Sequence, residues 1–150
     1  FIAQKIKNIP LDKAVKIGSG PKTVIEFTDP DCPYCRKVDK FLADRTDITR
    51  YIFFFPLRQI HPDAEKKSRY ILSQPDKAKA LNDVVSGYLD GKVIPVKDGE
   101  YESQLKEMEG VGASMGVRGT PALWIDGEHV NGADLSKIAV LLKKGVVSKE

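Results

Sequence analysis

Two β-rich apolar runs on either side of one amphipathic stretch constrain the fold of this chain more than any other feature. Residues 22 to 28, Lys-Thr-Val-Ile-Glu-Phe-Thr, are mostly β-branched or aromatic and are followed by the polar Asp29-Pro30-Asp31, so they read as a buried strand ending in a loop. Residues 49 to 55, Thr-Arg-Tyr-Ile-Phe-Phe-Phe, read as a second strand, stopped by Pro56. Between them, from Pro33 to about Arg45, Val38, Phe41 and Leu42 recur at spacings of three and four, the mark of a helix with one apolar face. Pro33 suits its first turn, where the amides lack partners in any case. A connection of this length permits a right-handed parallel crossover, so the unit is βαβ.

The remainder extends that unit. Residues 62 to 116 carry three helical stretches, about 63 to 73, 76 to 89 and 101 to 115, broken by Gln74-Pro75 and by the loop from Gly91 to Gly99. Ala122 to Ile125 and Glu128 to Asn131 flank Asp126-Gly127, a strong hairpin signal, and Asp134 can cap a last helix running to about Lys144. At the start, Ile2, Ile6 and Ile9 before Pro10 suggest a short amphipathic helix. Residues 1–16 are therefore expected to be an N-terminal helix or linker remnant, and 17–150 the domain proper, with 62–116 as a helical insertion. The expected fold class is α/β: helices around a mixed sheet, because the hairpin adds antiparallel strands beside the parallel pair.

A chain of 150 residues, 41% hydrophobic and 30% charged, is one soluble-type domain by these measures and large enough for a real core. Its net charge of +3 is spread without a long basic run, which gives no support for nucleic-acid binding. The longest apolar runs, Tyr51 to Phe55 and Ile138 to Leu142, are far short of the roughly 18 residues a membrane span needs. The sequence opens at Phe1 without a leader, so a processed or trimmed product is expected.

The only cysteines, Cys32 and Cys35, sit where the first strand hands over to the helix. Zinc would need four ligands, and beyond this pair only His61 and His129 are at hand; haem attachment would need His at position 36, which is Arg. A disulfide across two residues closes almost no loop and so contributes little stability. Redox chemistry remains. The leading sulfur meets the unpaired amides of the helix start, whose field contributes at most about 2 kcal/mol, or about one pKa unit, with the Tyr34 and Cys35 amides adding more. Arg36 and Lys37 favour the anion and Asp29 and Asp31 oppose it; the expected Cys32 pKa is below about 7. Glu26, six residues earlier in an apolar strand, is costly to bury without a partner or a task; it is either ion-paired or exchanges a proton with Cys35. Thr120-Pro121, entering a strand, is a candidate cis peptide, although the motif alone reads as a turn. Trp124 reads as core of the hairpin, His61 as a loop residue, and Arg58, Lys66 and Lys67 as a solvated face.

Phe27-Thr28-Asp29 leading into Cys32-Pro33-Tyr34-Cys35, then Asp63-Ala64-Glu65-Lys66, then Gly116-Val117 with Gly119-Thr120-Pro121, together resemble the thioredoxin superfamily. Within it they resemble the catalytic domain of the bacterial DsbC and DsbG disulfide isomerases. The resemblance implies the thioredoxin fold, with Cys32 attacking and Cys35 resolving. It also implies that Thr120 and a cis Pro121 face the pair and bind the client chain alongside Pro33 and Tyr34. Pro33-Tyr34 is of the DsbG type and Gly-Thr-Pro of the DsbC type, while Glu26 resembles the buried acid of thioredoxin and DsbA. Those isomerases carry a dimerisation domain, and DsbC an extra disulfide, that these residues do not include.

In function, the resemblance implies a thiol:disulfide oxidoreductase of exported, periplasmic proteins, an isomerase or reductase. Its clients would be unfolded or misoxidised proteins, and a membrane or soluble redox partner would reset the dithiol; no cofactor or metal is expected beyond the Cys32–Cys35 disulfide. The alternatives are a DsbA-like oxidase, or a thioredoxin-fold chaperone or metal-binding module without turnover.

Overall fold

The computed structural model describes residues 6–147. A single 3-10 turn at Leu11–Lys13 leads into β1 (Val15–Ile17) and β2 (Lys22–Thr28), followed by α1 (Pro33–Leu42) and β3 (Ile48–Phe54). Three helices come next, α2 (Ala64–Ser73), α3 (Lys77–Val85) and α4 (Glu102–Ser114), and then β4 (Ala122–Ile125), β5 (Glu128–Asn131) and α5 (Leu135–Val147). The five strands form one sheet in the order β1-β3-β2-β4-β5. β2 and β3 run parallel, with Lys22 opposite Ile48 and Thr28 opposite Phe54, while the other pairings are antiparallel. This is the mixed α/β sheet expected from the βαβ unit and the hairpin.

Alternation along β2 sends side chains to two cores. Ile25 and Phe27 join Ile71, Leu72, Leu81, Val84, Leu105 and Met108 beneath the three middle helices. Val24 joins Val38, Leu42, Ile138 and Leu142 under α1 and α5. Phe27 stacks on Phe53 at 5.0 Å and meets the edge of Trp124 at 5.8 Å, which makes Trp124 the core residue expected. Both turn residues of the hairpin are left-handed, Asp126 at φ 47 and Gly127 at φ 88, the twist-matched geometry of a two-residue hairpin loop. Asp134 Oδ1 accepts from the Lys137 amide at 3.1 Å, which caps α5 as expected.

Some expectations are corrected. β1 was not expected: three residues are too few for alternation to register, and it pairs with β3 across the boundary drawn between residues 16 and 17. Of the opening helix, Ile2 lies outside the described residues, and Ile6 and Lys7 are helical. α3 stops at Val85 rather than near residue 89 because Gly87, at φ 92, turns the chain out of the helix. Lys67 is not part of a solvated face; it is 3% exposed, whereas Arg58 and Lys66 are exposed as expected. No helix among the described residues is long and apolar enough to cross a membrane.

Candidate active site

The site grows from the carboxyl end of β2, the central strand. Asp29, fully buried, organises the turn after it. Its Oδ1 accepts from the Asp31 amide at 2.8 Å and its main-chain oxygen from the Cys32 amide at 3.1 Å. Its Oδ2 accepts from the Leu57 amide at 2.8 Å and lies 2.9 Å from His61 Nδ1. The Asp29 amide in turn points at Cys35 Sγ, 3.4 Å away. Cys32 is the N-cap of α1 with extended backbone (φ −73, ψ 123), and Pro33 occupies the first helical position. Both cysteines are free thiols, 5% and 0% exposed, while Tyr34 between them is 61% exposed.

Pairing of β4 with β2 carries the segment before β4 to the same place. The Thr120–Pro121 peptide is cis, as the resemblance implied, and the Thr120 carbonyl lies 3.7 Å from Cys32 Sγ, where it accepts from the thiol form. Cys32, Cys35 and Thr120 are therefore brought together from opposite ends of the sequence.

The electrostatics separate the two sulfurs. Cys32 is pulled down to about 5, chiefly by the hydrogen bond its thiolate receives from the Cys35 thiol; burial opposes this, and the Cys35 and Tyr34 amides assist. The Thr120 side chain adds a smaller downward pull on both sulfurs. Burial pushes Cys35 far up, and its bond to Cys32 pushes it further. The helix start was thus the right place to look, and the Cys35 thiol is the larger contributor that sequence reasoning missed. Arg36, expected to favour the anion, has its guanidinium engaged by other groups: it binds the Pro30 carbonyl at 2.9 Å, Asp31 at 3.0 Å and Asp90 at 2.9 Å.

Glu26, 1% exposed, takes Arg50 Nε at 2.6 Å, and the same guanidinium gives Nη2 to Asp39 Oδ1 at 2.5 Å. Glu26 therefore has the ion-pair partner that its burial demanded. Neither Arg50 nor Asp39 stood out in the sequence, although a charged residue inside each apolar pattern was visible. His61, read as a plain loop residue, is tied to Asp29 beneath the redox turn. No group of three or more His, Cys, Asp or Glu among the described residues is arranged to hold a metal ion.

The thioredoxin-like domain family matches residues 10–140 of the chain. A probable thiol:disulfide interchange protein DsbC of Bordetella avium is 32% identical over 126 residues, covering 83% of this chain and 43% of that protein. The thiol:disulfide interchange protein DsbC of Escherichia coli K12 is 31% identical over 118 residues, covering 75% of this chain and 48% of its own length. The chain thus spans less than half the length of these curated relatives. Among solved structures, the crystal structure of a disulfide interchange protein from Neisseria gonorrhoeae superposes with a TM-score of 0.72 at 31% identity, covering 89% of this chain and 96% of that one.

Proposed function

The chain belongs to the thioredoxin-like family, among its disulfide interchange proteins, and on that footing we propose that it is a thiol:disulfide oxidoreductase acting as an isomerase or reductase. The observation that carries the reading is the contrast between the two sulfurs: Cys32 ionised at neutral pH at a helix start, Cys35 buried and protonated beside it.

That contrast dictates the chemistry. The Cys32 thiolate attacks one sulfur of a client disulfide, a Cys32–client bond forms, and the other client sulfur leaves with the electron pair. Cys35 then loses its proton and attacks Cys32 Sγ. The Cys32–Cys35 disulfide closes, the client sulfur departs as thiolate, and two electrons have passed to the client. If another client thiolate attacks first, the client is isomerised and the dithiol is regenerated.

Thr120 and Pro121 border the sulfur, and an extended client segment can pair with the main chain there as an added strand, a mode that recognises unfolded chains without demanding a sequence. Pro33 and the exposed Tyr34 complete this client-facing rim. Glu26, buried beside Arg50, is the acid that would accept and return the Cys35 proton. Clients are unfolded or misoxidised exported proteins, a membrane or soluble redox partner resets the pair, and no cofactor beyond the cysteines is needed. Reduction of insulin and refolding of scrambled ribonuclease test the reading: both activities are expected, and both should be lost in Cys32→Ser. Neither activity in the wild-type protein would overturn it.

A further inference from the structure

Side chains at alternate positions of β2 face α1, and they meet it in order. Val24 packs with Leu42 and Val38. Two residues on, Glu26 shares the Arg50 guanidinium with Asp39. Two further on comes Thr28, the last residue of β2. On the buried face of α1, the residue one turn before Asp39 is Cys35. The steps are close in length, since two strand residues advance about 6.6 Å and one helical turn about 5.4 Å. The next main-chain group fits the same alignment: the Asp29 amide lies 3.4 Å from Cys35 Sγ.

Thr28 is 1% exposed, and with Cys35 as a thiol its hydroxyl completes no hydrogen bond among the described residues. A buried hydroxyl in that condition costs stability, and valine, of the same shape, would avoid the cost. A neutral sulfur is a weak acceptor and gives the hydroxyl little to bond to, whereas a thiolate is a strong one. In keeping with this, the Thr28 side chain pulls Cys35 down, as do the Asp29 amide and the Thr120 side chain, against the burial that pushes it up. The chief influences on Cys32 lie elsewhere, in Cys35, Tyr34 and Thr120.

We infer that the Thr28 hydroxyl, beside the Asp29 amide, is a donor reserved for the Cys35 thiolate, and that it engages when this sulfur leaves or attacks. The inference rests on the interchange function proposed above and concerns the second sulfur of that reaction. When an incoming thiolate attacks Cys32 of the oxidised pair, the Cys32–Cys35 bond breaks, a mixed disulfide forms at Cys32, and the Cys35 sulfur leaves with the electron pair. The Thr28 O–H and the Asp29 N–H donate to that anion, and neither gives up its proton. Burial denies the anion water, so donors fixed in place beforehand count for more than they would at the surface. In the closing direction the same donors hold the Cys35 thiolate as it attacks Cys32 Sγ and expels the client thiolate.

Two substitutions separate the hydroxyl from the packing: Thr28→Val removes the hydroxyl and keeps the shape, and Thr28→Ser keeps the hydroxyl and removes the methyl. Opening of the Cys32–Cys35 disulfide by reduced glutathione, followed by stopped flow, should slow about tenfold or more in Thr28→Val and stay close to the wild-type rate in Thr28→Ser. Reduced Thr28→Val should melt at or above the wild-type temperature, and its Cys32 thiolate absorbance should titrate at the wild-type midpoint. Opening at the wild-type rate in Thr28→Val, a lower melting temperature in that variant, or equal slowing in Thr28→Ser overturns the assignment to Thr28 and leaves the interchange reading standing. A Cys32 midpoint displaced far enough to account for the slower opening does the same. Failure of the wild-type pair to form any mixed disulfide with glutathione overturns the interchange reading, and the Thr28 assignment with it.

Discussion

Lys67 Nζ lies 2.5 Å from Asp31 Oδ1, joining α2 to the residue that precedes Cys32. The same ammonium reaches Asp90 Oδ1 at 2.7 Å, and Arg36 binds both acids, so two cations and two anions tie the redox turn, the first helix and the helical insertion into one knot. Lys67 is the most enclosed member, with 4% of its side chain exposed. Replacing it with Met keeps the packing and leaves Arg36 as the one cation against two carboxylates, and should cost about 1–3 kcal/mol. An unchanged urea midpoint for Lys67→Met would show that the knot contributes nothing.

The hydrogen bond from Cys35 is the largest influence holding the Cys32 thiolate down at about 5. Cys35→Ala removes that donor, and one pKa unit corresponds to about 1.4 kcal/mol, the scale of a hydrogen bond to an anion. The Cys32 titration, read from thiolate ultraviolet absorbance, should move up by about one unit or more. A midpoint that stays put would assign the depression to the helix start alone.

Reduced protein should also gain stability with rising pH, and the sign is set by the direction of the shift. Folding lowers the Cys32 pKa from about 9 to about 5, so its contribution is complete above the unfolded value and is lost as pH falls towards the folded one. Cys35 moves the other way, and its contribution declines only above the unfolded thiol range. Between about pH 5 and about pH 8 the unfolding free energy of the dithiol form should therefore rise relative to Cys32→Ser. Parallel curves in denaturant titrations across that window would contradict this.

Gly20 is held against the backbone of the turn before β3. Its amide donates to the Ile48 carbonyl at 3.0 Å, and its carbonyl accepts from Thr49 Oγ1 at 2.6 Å. A Cβ there would sit 2.1 Å from the Asp47 carbonyl carbon and 2.2 Å from the Ile48 nitrogen, main-chain atoms that cannot step aside. Gly20→Ala should destabilise by about 3 kcal/mol or more by parting the parallel ladder at its start. Thermal unfolding at an unchanged temperature would argue that the strands tolerate the gap.

The parts of this architecture readable in advance are those in which a local pattern decides the outcome. The βαβ unit showed itself through β-branched and aromatic runs on either side of an apolar period of three to four, and Asp126-Gly127 named its own turn. The two sulfurs were placed correctly because the strand–helix junction dictates what meets the first cysteine. What escaped was non-local. Glu26 was visible as a charge in an apolar strand, but its partner Arg50 sits 24 residues on, and Asp39 reaches the same guanidinium from the intervening helix. Lys67 read as surface because a helix of mixed charge does not reveal that Asp31 waits beneath it. Arg36 was assigned to the thiolate by proximity in sequence, and Asp90, 54 positions away, claims it instead.

The redox turn hangs from β2, which is hydrogen-bonded to β3 on one side and β4 on the other. Freeing that turn therefore means tearing ladders on both flanks, whereas β5 has a neighbour on one side only. Amides at the root of the cysteine turn should be among the slowest in the molecule to trade their hydrogens for deuterium, and those of β5 among the quickest in the sheet. A dithiol anchored in this way is presented to loose, shifting polypeptides from the stiffest point of its carrier, so the exchange partner does the adapting.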